Sequence, residues 1–142
     1  MIGIIVAGHG NFASGNLSSA RLILGVQEKV IGVDFLEEDS TDTLKEKLIN
    51  AIEQLGEEVV ILTDLAGGSP YNNAVVLKKE LTNCKIEVIA GTNLAMIITA
   101  MLDREGCMVE DMAENVVQAG MDGISVFHFS NSIQEVVDED GI

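Results

Sequence analysis

The chain has 142 residues, 47% of them hydrophobic, and carries 8 Lys+Arg against 23 Asp+Glu for a formal net charge of −15. That length and apolar content suit one domain with a full core and exclude a disordered chain. The charge disfavours nucleic acid and anionic membrane surfaces as partners and favours a basic protein face. The imbalance grows along the chain, since no Lys or Arg follows Arg104 while acids continue to Asp140. Cys84 and Cys107 are too few for a disulfide framework and read as small buried side chains in a reducing compartment. No CxxC pair or Cys/His cluster calls for a metal, and nothing in the composition calls for a cofactor. The apolar start, Met1 to Val6, lacks a basic flank and is too short for a signal segment or a spanning helix. The chain therefore reads as cytoplasmic, with no direct insertion into a membrane.

In chain order, Ile2 to Ala7 is a near-continuous apolar run rich in β-branched residues, the mark of a strand buried on both faces. Gly8-His9-Gly10 ends it. Apolar residues then recur at helical spacing from Phe12 to Leu24, with Gly25 as a stop. Val30 to Phe35 predicts a second strand. Ser40 or Thr41 caps a helix running to Leu55, and Gly56 closes it. Val59 to Thr63 is a third buried strand, followed by Asp64 and a glycine-containing loop. Pro70 fits the first turn of a helix reaching about Leu81. Ile86 to Ala90 is a fourth strand, and Leu94 to Arg104 and Val109 to Ala119 are further helices in which Met96, Met101 and Met108 read as core filling. Ile124 to Phe129 predicts a last short strand, and the polar remainder predicts an acidic tail with helical character at Ile133 to Val137. Strands alternating with helices specify an α/β fold with an open, mostly parallel sheet and right-handed crossovers. The expected division is one domain over residues 1–129 and an acidic tail over 130–142.

Open parallel sheets bind ligands beyond the C-terminal ends of their strands. There this sequence places Gly8-His9-Gly10, Asp34, Asp64 to Pro70, and Gly91-Thr92-Asn93. His9, flanked by glycines that remove bulk, suits a base, a nucleophile or a metal ligand, and equally a cap on a helix N-terminus. Asp64 at a neighbouring strand end suits a carboxylate that accepts from Nδ1 of His9 and leaves Nε2 free, or a cap for the loop after it. Gly67 and Gly68 let the backbone approach an anion, and Ser69 suits a donor to a phosphoryl oxygen or a cap on the helix that Pro70 begins. The loop is neither a Walker A motif nor a GxGxxG fingerprint. Asp34 does not make a receiver-type phosphoacceptor site, because no lysine ends a strand beside it. His128 between Phe127 and Phe129 reads as structural.

The set Ile5-Val6-Ala7-Gly8-His9-Gly10, Thr63-Asp64-Leu65-Ala66-Gly67-Gly68-Ser69-Pro70 and Gly91-Thr92-Asn93-Leu94-Ala95-Met96 resembles the mannose-family IIA component of the bacterial sugar phosphotransferase system, over residues 1–129. The resemblance implies a phosphocarrier. His9 would take a phosphoryl group through Nε2 from the phosphohistidine of HPr and pass it to a histidine of a IIB component, serving membrane IIC and IID components indirectly. Asp64 would orient His9, and Ser69 with the backbone of Gly67 and Gly68 would hold the phosphoryl oxygens. It also implies four parallel strands joined by an antiparallel fifth, Ile124 to Phe129, exchanged within a homodimer. The family's usual aromatic between the aspartate and the glycine pair is replaced by Leu65-Ala66.

Two rivals share the first step: a carrier serving a dihydroxyacetone kinase, and a module whose phosphorylated His9 signals to a regulator. A Ser69, His9 and Asp64 hydrolase fails on context, since Ser69 precedes Pro70 and lacks a GxSxG elbow. The sugar is not written in this chain.

Overall fold

The computed structural model describes residues 1–130. Strand β1 spans Gly3–His9, helix α1 Phe12–Leu24, β2 Val30–Phe35, α2 Thr41–Leu55, β3 Glu58–Thr63, α3 Ser69–Glu80, β4 Lys85–Ile89, α4 Leu94–Asp103 and α5 Val109–Asp122. The four strands form one parallel sheet in the order β2-β1-β3-β4.

The apolar runs of β1 and β3 are continuous because these two central strands are buried on both sides. Ile4, Val6, Val60 and Leu62 face a core closed by residues of α1, α4 and α5, including Ala13, Ile97 and Met112. Ile5, Ala7, Val59 and Ile61 face the opposite core, closed by Leu44, Leu48 and Ile52 of α2 and Leu77 of α3. Alternate side chains of one strand thus enter different cores, so neither face can be polar. Helix α2 starts at the cap read from the sequence. Ser40 Oγ accepts from the Thr43 N–H at 3.1 Å while Thr43 Oγ1 accepts from the Ser40 N–H at 2.8 Å. Arg104, the last basic residue, is buried: its guanidinium donates to the Glu28 carbonyl and its own carbonyl accepts from the Ile2 N–H at 3.2 Å, tying the end of α4 to the sheet.

From β1 the chain moves outward to β2, then crosses back to β3 on the other side of β1. The sheet's switch point therefore lies between the C-terminal ends of β1 and β3, where the two crossovers leave a crevice.

Residues Ile124 to Phe129, expected as a strand, make no ladder within the single chain. Ile124, Val126 and Phe129 are 74%, 76% and 91% exposed. The edge strand near α5, β4, keeps one side without a partner among the described residues. Two expectations of burial are corrected. Met96 and Met101 are core residues, but Met108 is 58% exposed because it precedes α5 as its N-cap rather than facing inward from a helix. Neither cysteine is fully buried. Cys107 sits on the α4–α5 loop, where its Sγ meets the Asp103 carbonyl at 2.9 Å, and burial with Asp103, Asp111 and Glu58 pushes its thiol pKa up. The predicted acidic tail and its helical stretch lie outside the described residues, apart from Ser130.

Candidate functional site: a clamped histidine at the sheet switch point

β1 ends at His9 and β3 at Thr63, and the register pairs Ala7 with Thr63. The next residue after β3, Asp64, therefore comes level with the end of β1. Its Oδ2 accepts the backbone N–H of His9 at 2.9 Å and lies 2.7 Å from Nδ1 of the same residue. An ionised carboxylate only accepts, so Nδ1 carries a proton, and in the neutral imidazole this tautomer leaves the lone pair on Nε2. Asp64 Oδ1 accepts from the Leu65 N–H at 2.8 Å. One oxygen thus contacts His9 and the other the loop that follows. Burial pushes the Asp64 carboxyl upward. Hydrogen bonds from the His9 backbone, the His9 ring and the Leu65 N–H outweigh it, and the pKa sits below the ordinary 3.8.

The His9 side chain is 47% exposed and that of Asp64 11%, so the pair has a dry anchor and an accessible ring. Phe35, at the end of β2, meets the ring edge-on with centroids 5.7 Å apart. On the other side the backbone of Gly68 closes in. A Cβ there would lie 2.9 Å from His9 Cε1 and 3.7 Å from Nε2. Gly68 has ordinary extended torsions, φ −73° and ψ 164°, so glycine is needed for the close approach to the imidazole and not for its conformation.

The loop before α3 is a tight turn. The Gly68 N–H donates to the Leu65 carbonyl at 3.3 Å, and Gly67 occupies the left-handed region at φ +81°. Gly68 is the N-cap of α3, and no side chain caps the helix there. Ser69 is consequently the first helical residue and does not act as the cap. Among the described residues no group accepts from the Ser69 N–H or bonds its Oγ. With Pro70 lacking an N–H, the first turn of α3 leaves the Ser69 donors unused at the positive end of the helix, directly after the Gly68 backbone that borders the histidine. The arrangement can hold an anion next to a nucleophilic nitrogen.

The remaining strand-end residues brace this site or lie apart from it. The N–H of Gly91 donates to the Asp64 carbonyl at 3.2 Å and that of Thr92 to the Thr63 carbonyl at 3.1 Å, so the turn after β4 fixes the backbone that carries Asp64. Asn93 caps α4, accepting from the Met96 N–H at 3.1 Å, and donates to the Gly120 carbonyl at 3.0 Å. Asp34 caps α1 from outside the helix, accepting from the Ser14 N–H at 3.0 Å. His128 is exposed, while Phe127 and Phe129 contact each other edge-on at 4.9 Å between centroids. Sequence reasoning missed Phe35 and Asn72. Asn72 lies one helical turn after Gly68, and its side-chain amide donates to the Gly67 carbonyl at 3.0 Å. An asparagine in the first turn after a glycine loop was the available signal.

The comparisons identify the family and the fold. The family model for the PTS system fructose IIA component, of the mannose type, matches residues 3–117. The fructose-specific EIIA component of Bacillus subtilis is 32% identical over 118 residues, which is 82% of this chain and 80% of that protein. The mannose-specific EIIAB component of Escherichia coli is 33% identical over 128 residues, but the match spans only 38% of that longer protein. Among solved structures, the phosphotransferase system component EIIA of Streptococcus agalactiae superposes with a TM-score of 0.85 at 38% identity, covering 89% of this chain and 97% of that one. The mannose/sorbose-specific IIA subunit of Enterococcus faecalis gives a TM-score of 0.83 at 26% identity, covering 93% and 98%. Among the described residues no helix is long and apolar enough to cross a membrane. A lone histidine ring, clamped by an aspartate at a sheet switch point beside a GGSP helix start, occurs here in a chain that belongs to the mannose-type IIA family of the sugar phosphotransferase system.

Proposed function

We propose that this chain is a cytoplasmic phosphocarrier whose His9 takes a phosphoryl group from phospho-HPr and hands it to a histidine of a IIB component, for sugar uptake through membrane IIC and IID components. The observation that carries the reading is the double contact of Asp64 Oδ2 with His9, which leaves Nε2 as the nucleophile. In the step, the Nε2 lone pair forms the new N–P bond as the N–P bond of the donor breaks, and the donor histidine leaves with that bond's electrons. The His9 ring becomes cationic with Nδ1 still protonated, and the Asp64 carboxylate faces the charge that develops. No proton moves at Nε2. Ser69, with the backbone of Gly67 and Gly68, supports the equatorial oxygens of an in-line transfer. The net charge of −15 suits a basic donor face, which raises encounter rates for a short-lived complex.

The reading includes a homodimer in which residues 124–129 of each protomer add antiparallel to β4 of the other. Two observations support it. Ile124, Val126, Phe127 and Phe129 are exposed in the single chain, and the free edge of β4 opens on a groove of about 400 Å³ lined by Val88, Ile89, Ala113 and Val117. A strand there would satisfy the edge and cover the apolar side chains together.

Intact mass after mixing with phosphoenolpyruvate, Enzyme I and HPr tests the carrier. One acid-labile phosphate is expected on the wild type and none on His9→Ala. Labelling retained in His9→Ala, or absent from the wild type, would end the reading.

A further inference from the structure

Resting on the carrier reading above, we infer that Asn72 is a positioning residue that holds the Gly67–Gly68 peptide against His9 for phosphoryl transfer. The two ends of that one peptide unit are held by different groups. Its N–H donates to the Leu65 carbonyl at 3.3 Å, and its carbonyl, that of Gly67, accepts from Asn72 Nδ2 at 3.0 Å. The N–H of Asn72 also donates to the Gly68 carbonyl at 2.9 Å, so one residue holds two successive carbonyls of the loop.

Both carbonyls lie in the stretch of backbone that borders the histidine. A bare carbonyl beside a phosphoryl group repels its oxygens. The Asn72 amide, on α3, gives the Gly67 oxygen a donor of its own. The same contact fixes the plane of the peptide whose next Cα, that of Gly68, packs on the imidazole edge. Gly67 at φ +81° has no side chain to hold the turn, and the Gly68 N–H bond alone is long. Without the Asn72 amide the Gly67 carbonyl loses its partner, and the plane of the unit rests on the long Leu65 contact. The wall beside Cε1 and the direction of the Ser69 donors would then shift together. Asn72 touches neither the histidine nor the reacting atoms, so its effect is through the loop.

The test uses the full chain and isotopically labelled phospho-HPr under rapid quench, with amide hydrogen exchange of the unphosphorylated protein as a second arm. In Asn72→Ala the maximal rate of phosphoryl uptake is expected to fall about tenfold, with the KM for phospho-HPr held within about twofold, because orientation and not docking is lost. Asn72→His, which keeps a side-chain N–H donor at similar reach, is expected to restore most of the rate. Exchange at the Gly68 amide is expected to quicken about tenfold in Asn72→Ala and to return in Asn72→His. A wild-type maximal rate in Asn72→Ala overturns the inference. So does an equal loss in both variants accompanied by a matching loss of thermal stability, which is the signature of a merely structural residue. If the wild type takes no phosphate, the carrier reading falls by itself. The exchange arm then decides the loop's dependence on Asn72, and unchanged Gly68 exchange overturns it.

Discussion

Asp64 holds His9 at two points with one oxygen: Oδ2 accepts from the backbone N–H at 2.9 Å and faces Nδ1 at 2.7 Å. The contact couples ring orientation, tautomer and backbone position, so none of the three can change without the others. A carboxylate meets this demand because it has acceptor sites to spare and no donor to present.

Asp64→Asn tests that point. The amide offers one acceptor and one donor where the native group makes three acceptor contacts, to His9 N, His9 Nδ1 and Leu65 N. The N–H end must face either His9 or Leu65. Where it faces Nδ1, it favours the tautomer that protonates Nε2. Phosphoryl uptake is expected to slow by roughly 100-fold with the fold retained. A rate equal to wild type in quench-flow would remove the orienting role.

Gly68→Ala isolates the close approach from backbone freedom. The torsions suit alanine, but the new methyl meets His9 Cε1 at 2.9 Å and the Leu65 carbonyl at 3.5 Å. The ring is held by Asp64 and cannot yield without breaking that contact. We expect at least a tenfold loss of uptake, as orientation effects of this size allow, and a displaced His9 ring signal in NMR. An unshifted ring with native kinetics would show that the site has slack.

Acid should loosen the clamp. The folded pKa of Asp64 lies below the ordinary 3.8, so its contribution is full above that value and is lost as pH falls through the lower folded value. The difference in unfolding free energy between wild type and Asp64→Asn is therefore expected to be constant above about pH 5 and to shrink as the carboxyl protonates. Urea titrations across that range measure it. A difference that grows on acidification would contradict the depressed pKa.

Arg104 should matter for stability and not for transfer. It is 4% exposed, and its guanidinium donates to the Glu28 carbonyl and, at 3.4 Å, to Gln27 Oε1. Burial lowers its pKa, with Glu105 and Glu28 acting in the opposite sense. Arg104→Met keeps the apolar stem and leaves the Glu28 carbonyl without its charged donor. A loss of about 1.5–3 kcal/mol is expected in chemical denaturation, with uptake per folded molecule unchanged. Native stability in the variant would make the buried guanidinium dispensable.

Deleting the chain from Ile124 addresses the exchanged strand. Sedimentation is expected to change from dimer to monomer, since the deletion removes Val126, Phe127 and Phe129 and leaves the β4 edge open. A truncated chain that stays dimeric would refute the exchange.

The layered fold and the residues at the strand ends can be read from the order of the amino acids. Runs such as Ile2 to Ala7 and Val59 to Thr63 carry their burial in their composition, and glycine, serine and proline mark where helices start and stop. His9, Asp64 and Ser69 were legible because strand ends in such a sheet converge on one edge. Which partner each residue takes was decided only by the tertiary structure. His9 and Asp64 are 55 positions apart, and their contact depends on β1 and β3 being neighbours in the right register. Asp34 ends a strand just as Asp64 does, yet its neighbour is the start of α1, so it caps a helix instead of orienting a histidine. Met108 and the cysteines went astray for the same reason: an apolar residue type states a preference for burial, and its exposure is set by the packing of the loop that carries it. Residues Ile124 to Phe129 have the composition of a strand, but a ladder also needs an edge within reach, and a single copy of the chain does not bring that segment to one.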